Sequence, residues 1–480
     1  MLFNSLQYIF FLPIVLFLYW CLPRRFRAVI LLIASYVFYS AWNPVYLLLL
    51  IGMTIFNYLI GFVLKWAGHT RKWWLIFAIL VNVGTLGYYK YAKFVLENIF
   101  GVMDFVHLPH DDIVVKIFLP LGISFFTFEF LHYIVDVYKG GEPERNFVHF
   151  ALLPGFFPSQ IAGPIKRYQD FMPQLKEARP FDMDNFEKGF VMVLHGLAKK
   201  ILLADNLSIY VDFVYKNPSD FTCLELWLAT YAFAFQVYCD FSGYTDVAIG
   251  SALMMNLCVP PNFNVPYMSN NIRELWHRQH ISLSFWFRDY VYIPLGGSRC
   301  SVPAIYRNLI LTTALAGLWH GAAWHFVAWG AFQGLSLIVH RQWMLFYKSI
   351  DWLYEFVKGK IWHAIAIFIT FQAFAVSFVF FRADDLPTSF DMVGRMMKLW
   401  ELWPDQHLKF LTSNGPMIFP MIPYVLAGLV IAHIISEPLR DMQFWPSRPR
   451  WMKGAYCAFL IIIMIALMPE EQNKFIYFQF

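Results

Sequence analysis

Apolar runs approaching 20 residues recur from one end of this 480-residue chain to the other. Inside hydrocarbon every backbone N–H and C=O needs a partner within the protein, so spanning runs fold as helices or as closed barrels. A helix crosses the ~30 Å hydrocarbon core in about 20 residues, whereas barrel strands need only about half that number and alternate in polarity. Continuous apolar runs therefore predict an all-α, polytopic integral membrane protein with about 11–13 transmembrane or re-entrant helices. They lie at 8–22, 29–40, 45–64, 74–88, 117–137, 190–213, 224–238, 244–257, 309–322, 326–339, 362–381, 418–435 and 455–468.

Charge supports this assignment. Only 14% of residues are charged, against about 25% in ordinary soluble domains. A net charge of +5 spread over loops suits membrane topology and attraction to anionic lipid, not nucleic-acid binding. The first apolar run is followed, not preceded, by Arg24, Arg25 and Arg27. A signal peptide has the reverse order, so this run is expected to remain as a first helix, its basic end cytoplasmic. The six cysteines include no C-x-x-C pair and are expected to be packing thiols. No solenoid-length repeat is visible, and one integrated membrane domain over 1–480 is the simplest division.

Residues 150–168 carry three prolines and two glycines, too many for a regular span. Broken backbone at membrane depth is tolerated where protein buries it or where it lines a cavity; a plain loop is the alternative. After residue 381, Arg382, Asp384 and Asp385 mark a helix end, and 391–406 is expected outside the membrane.

Residues 271–325 hold four histidines among arginines and tryptophans. Ionisable groups in such a chain point first to function. Written as one helix, Trp276, His280, Leu283 and Phe287 form a stripe, which turns His280 inward. His277, Arg278 and Arg288 fall off that stripe, facing water, phosphate or carboxylate; a core histidine bonded to a carbonyl is the bland reading of His280. Leu295-Gly296-Gly297 makes a turn, and Tyr306-Arg307-Asn308 opens the next helix. On that helix Thr313, Ala316, Gly317 and His320 share a face, with Trp319 elsewhere. Gly317-x-x-x-Gly321 is equally a helix-packing motif, but packing does not need the histidine. With an ordinary pKa of about 6.5, histidine can take and return a proton near neutrality, or be acylated itself; both roles stay open. No metal-ligand spacing accompanies these histidines, and His325 points away from His320. Asp240 and Asp246 could orient a histidine, pair an arginine or cap a following helix.

Several segments together resemble the membrane-bound O-acyltransferase family, in its bacterial alginate and peptidoglycan O-acetyltransferase branch. They are Leu31 to Tyr39, Leu119 to Phe126, Ile161-Ala162-Gly163-Pro164-Ile165 and Asp240-Phe241-Ser242-Gly243-Tyr244. The likeness is densest at His280-Ile281-Ser282-Leu283-Ser284, Arg288-Asp289-Tyr290 and Gly317-Leu318-Trp319-His320-Gly321-Ala322, and extends to the ending Phe475 to Phe480. The resemblance implies helices ringing a thinned, tunnelled centre, with a catalytic core at about 230–345. The family's central histidine maps onto His320 and its second position onto His280. Donor- or substrate-binding candidates are Trp276, His277, Arg278, Arg288, Asp289, Arg307, Asn308 and Trp319, with Asp240 and Asp246 as supports. Where the branch has Trp-Arg-Arg-Trp, this chain has Trp276-His277-Arg278-Gln279, a departure that touches substrate details.

The resemblance further implies acetyl transfer from a cytoplasmic donor, acetyl-CoA, without a bound cofactor or metal. A periplasmic or secreted SGNH-type acetyltransferase partner would then modify an extracytoplasmic glycan, such as alginate, peptidoglycan or a cellulose-like polymer. The expected location is the bacterial cytoplasmic (inner) membrane. A polytopic transporter, or a scaffold subunit of a polysaccharide export machine, is the competing reading; a transporter should show inverted halves, which this sequence lacks.

Overall fold

Ser5 opens the first helix, its hydroxyl accepting from the Tyr8 amide, and Asn43 caps the third ahead of Pro44, its side-chain oxygen accepting from the Val45 amide. Such caps satisfy orphan helix-end donors. In the computed structural model, residues 1, 3–108, 117–177, 179–401, 418–439, 449–469 and 475–476 are described. Two compact units emerge, one from residues 1–193 with 244–260, the other from 194–243 with 261–480.

The first unit contains α1 (Leu6–Cys21), α2 (Arg27–Ser40), α3 (Pro44–Trp66), α4 (Arg71–Leu86), α5 (Ala92–Phe105), α6 (Ile123–Tyr138), α7 (Phe147–Gly155) and α8 (Tyr168–Glu177). The proline-rich stretch belongs here: α7 stops at Gly155, and residues 150–166 are all buried in protein. Lys166 inside it bonds Glu129 at 2.8 Å and the Ser159 hydroxyl at 2.6 Å, so the broken segment is internal, not a surface loop.

α9 (Met183–Ala198) leads into α10 (Asp205–Lys216), and then α11 (Cys223–Leu253) runs unbroken for 31 residues. Two expected spans, 224–238 and 244–257, are thus one helix, and neither Asp240 nor Ser242 is a cap. The polar run between them is accommodated by internal pairing and by Gly243, where an added Cβ would lie 2.6 Å from the Gly196 carbonyl.

The remaining helices of the second unit are α12 (Ile272–Arg278), α13 (Ile281–Phe287), α14 (Val302–His320), α15 (Trp324–Lys348), α16 (Asp351–Lys358), α17 (Lys360–Arg382) and α18 (Leu386–Met396), followed by Ile418–Leu439 and Arg450–Ala466. α18 is an amphipathic helix burying Met392 and Met396; 402–406 of the segment expected outside the membrane lies beyond the described residues, as do 477–480 of the family-like ending. Among the described residues, four helices are long and apolar enough to cross a membrane: Pro44–Trp66, Gly68–Phe105, Lys360–Arg382 and Phe419–Glu437. Leu6–Cys21 and Trp451–Ala466 are shorter apolar helices. Of the cysteines, Cys223 and Cys239 are buried, but Cys21, Cys258 and Cys300 are exposed, so packing does not account for all six.

Candidate active site

The second unit builds its polar centre on the antiparallel pair α14 and α15. These helices approach closely because Gly317 and Gly330 face the partner backbone. A Cβ on Gly317 would collide with the Phe326 carbonyl, and one on Gly330 with the Thr313 carbonyl. Gly317 is therefore a packing residue. The neighbouring face, carrying Thr312, Thr313, Ala316 and His320, borders a cavity of about 180 Å³.

His320 occupies the last turn of α14 and is 7% exposed. Trp329 and Phe381 both meet its ring edge-on at 5.1 Å, leaving one side toward the cavity. The facing wall is Trp329, Gln333 and Leu337, one turn apart along α15, while Trp276, Leu283, Phe287 and Arg288 complete the lining. A cavity of 180 Å³ holds several water-sized groups. That is room for an acetyl group and the first atoms of its carrier.

His280 departs from the helical stripe. The chain unwinds between α12 and α13, and His280 has φ +46°, in the left-handed region. That conformation costs a non-glycine residue on the order of 1–3 kcal/mol and needs outside support. The support is the strand-like segment at residues 262–264. Phe263 bridges to Gln279, the Asn264 amide donates to the Arg278 carbonyl, and the Ile281 amide to the Asn262 carbonyl. The Asn262 side chain accepts from the Ser282 amide at 3.1 Å and from its hydroxyl at 2.6 Å. His280 is 3% exposed, 4.5 Å from Phe241 and 6.5 Å from His320 between ring centres. It lies between two seven-residue helices, neither long enough to span a bilayer, and burial pushes its imidazole down to about 3.

The membrane-bound O-acyltransferase family model matches residues 146–381. A protein of Pseudomonas aeruginosa named probable alginate O-acetylase AlgI is 41% identical over 95% of this chain and 85% of its own length. The peptidoglycan O-acetyltransferase of Helicobacter pylori is 33% identical over 100% of this chain and 98% of its own. The teichoic acid D-alanyltransferase of Bacillus subtilis is 29% identical, over 54% and 68%. The chain belongs to the membrane-bound O-acyltransferase family. It is an acyltransferase and a multi-pass membrane protein.

Within this membrane-bound O-acyltransferase, the candidate residues divide. Trp276 and Arg288 line the His320 cavity. Trp319 packs 5.8 Å from His280 and 4.7 Å from His320 without lining that cavity. Arg278 is committed to Glu274 at 2.6 Å and Glu437 at 2.8 Å, and Asp289 pairs with Arg288 at 2.7 Å. His277 is exposed, its imidazole lowered by partial burial and by Arg273 and Arg288. Arg307 donates to Asn308, whose amide donates to the Leu295 carbonyl at 3.0 Å and so ties the glycine turn to α14. His325 bonds the Phe380 carbonyl at 2.9 Å, a packing role.

The expectation that Asp240 serves a histidine or an arginine is corrected. It holds Lys200 at 2.6 Å and accepts from the Ile476 amide at 2.8 Å, because a buried carboxylate needs its charge met nearby. Asp246 belongs to the first unit. Thr312, Trp329, Gln333 and Phe381 were not singled out from sequence. Gln333 carried a usable signal, a polar residue inside the apolar run 326–339.

Proposed function

We propose that this protein is an O-acetyltransferase that takes acetyl from a cytoplasmic thioester, acetyl-CoA, and passes it outward for O-acetylation of an extracytoplasmic glycan. The observation that carries this reading is a buried imidazole, His320, bordering a cavity with room for an acetyl group. The names of two relatives that match most of this chain, an alginate O-acetylase and a peptidoglycan O-acetyltransferase, favour acetyl as the group and a polysaccharide as the destination. An SGNH-type acetyltransferase outside the membrane completes the relay, and the bacterial cytoplasmic membrane is its setting.

In the transfer, an acceptor hydroxyl oxygen bonds to the thioester carbonyl carbon as His320 takes the hydroxyl proton. The resulting oxyanion collapses, the C–S bond breaks, and the thiolate receives the proton back from the imidazolium. The products are an O-acetyl ester and a free thiol. General-base help of this kind contributes about 10²–10⁴ in rate. His280 sits 6.5 Å away as a support for His320. His320→Ala is expected to reduce base-labile acetate on the cell's glycan at least about 100-fold, with wild-type protein levels in the membrane. Undiminished acetylation in that variant refutes the acyltransfer role of His320.

A further inference from the structure

Among the described residues, four that line the cavity beside His320 carry a buried polar atom without a hydrogen-bond partner: Trp329 Nε1, Gln333 Oε1, Thr312 Oγ1 and Trp276 Nε1. Trp329 is 3% exposed and Gln333 1%. Native interiors leave few such atoms unmet, and those they leave ask for a ligand or an ordered water.

The orientation of the Gln333 amide follows from its neighbour. Ser377 Oγ donates its one proton to the Phe374 carbonyl at 2.6 Å. Toward Gln333, 2.8 Å away, it can therefore only accept, which places the amide NH₂ against Ser377. The Gln333 oxygen is left as a pure acceptor on a residue that lines the cavity. One helical turn earlier on the same face, Trp329 offers a pure donor, its ring 5.1 Å from that of His320. Going up α15 from His320, the order is thus N–H donor, carbonyl acceptor, the apolar Leu337, with half-exposed Arg288 also in the lining.

We propose that Trp329 and Gln333 read the reacting end of the acyl donor. The Trp329 N–H bonds the thioester carbonyl oxygen, and Gln333 Oε1 accepts from the amide N–H of the carrier arm. In an N-acylcysteamine thioester, four bonds separate the carbonyl carbon from that nitrogen, a reach comparable to the ~5–6 Å between side chains one helical turn apart. The Trp329 bond strengthens as negative charge develops on the oxygen, making Trp329 a catalytic residue. Gln333 makes the same bond before and during transfer, so it sets which donors are accepted. This proposal rests on the acetyltransferase reading of the same cavity.

The test uses membrane vesicles containing the full chain and two probes, S-acetyl-N-acetylcysteamine and its twin in which oxygen replaces the amide N–H. Acceptor-dependent release of free thiol is the readout. Wild type is expected to favour the amide probe roughly 10- to 100-fold in kcat/KM, the effect of leaving one buried acceptor unmet. Gln333→Met should erase that preference, a ratio independent of how much protein folds. Ser377→Ala, which frees the amide to turn, should weaken it. Trp329→Phe should lower kcat for both probes by about 10²–10³ with KM little changed. An unchanged preference in Gln333→Met and Ser377→Ala overturns the assignment of Gln333, as it would if water alone filled the cavity. Wild-type kcat in Trp329→Phe overturns that of Trp329. Full thiol release in His320→Ala would instead sink the acetyltransferase reading itself.

Discussion

Two polar regions of the second unit handle burial in opposite ways. In one, Lys200 sits between Asp205 at 2.8 Å and Asp240 at 2.6 Å, and Asp240 also takes the Ile476 amide. All three side chains are at most 4% exposed, and the charges are met inside the protein. In the other, residues lining the cavity beside His320 carry an indole N–H, a hydroxyl and an amide oxygen that are buried and, among the described residues, have no hydrogen-bond partner. Interior charge is thus no guide to chemistry unless its partners are counted. A cluster of mutually paired charges holds the chain together, even with an Asp205 oxygen left without a hydrogen bond, whereas uncharged polar groups around a cavity are shaped for something that arrives.

The contrast breaks most visibly at Lys200. Lys200→Met leaves two carboxylates buried without their cation, and removing one partner of such a cluster costs about 3–5 kcal/mol. Detergent-solubilised protein should unfold at a markedly lower temperature. An unchanged unfolding temperature would show that the cluster does not stabilise the fold.

A smaller effect belongs to His280. Its imidazole is lowered to about 3 by burial, below the ordinary value of about 6.5. As pH falls below ~6.5 the unfolded chain binds a proton that the folded protein refuses until about pH 3, so this site subtracts stability progressively across that window. His280→Gln should therefore show a shallower fall in unfolding temperature from pH 6.5 to 4 than wild type. Parallel curves for the two proteins would contradict a neutral, buried His280.

The smallest effect has the opposite sign to the first. Thr312→Val removes a hydroxyl that has no hydrogen-bond partner and keeps the side-chain shape. It should leave stability unchanged or raise it by about 1 kcal/mol, while acetyl transfer falls several-fold. A loss of stability with full activity would place Thr312 on the structural side of the comparison.

Much of the fold was legible beforehand. The apolar runs at 29–40, 326–339 and 362–381 fall within α2, α15 and α17, because amide pairing in an apolar setting leaves a long run little alternative to a helix. That 150–168 is no regular span followed from its prolines and glycines, while its burial over 150–166, against a plain loop, was decided by the packing. Less legible was 276–287, whose stripe is a sound helical pattern that the chain does not keep. Hydrogen bonds from residues 262–264 override it, and nothing local in 276–287 announces a partner more than ten residues upstream. Asp240 failed for a related reason: its partner Lys200 is 40 residues away.

The sequence by itself determined a helical membrane acyltransferase and the face of α14 that carries His320, since apolar run length and the family's residue patterns are properties of the chain taken in order. Tertiary structure alone decided that Gly317 packs while Thr312, Thr313 and Ala316 border open space, that His280 leaves its helix, and that Trp329 and Gln333 stand opposite them. The reason is physical. Whether a buried polar atom is met or unmet depends on what every neighbouring element brings to it, and only the assembled packing settles that.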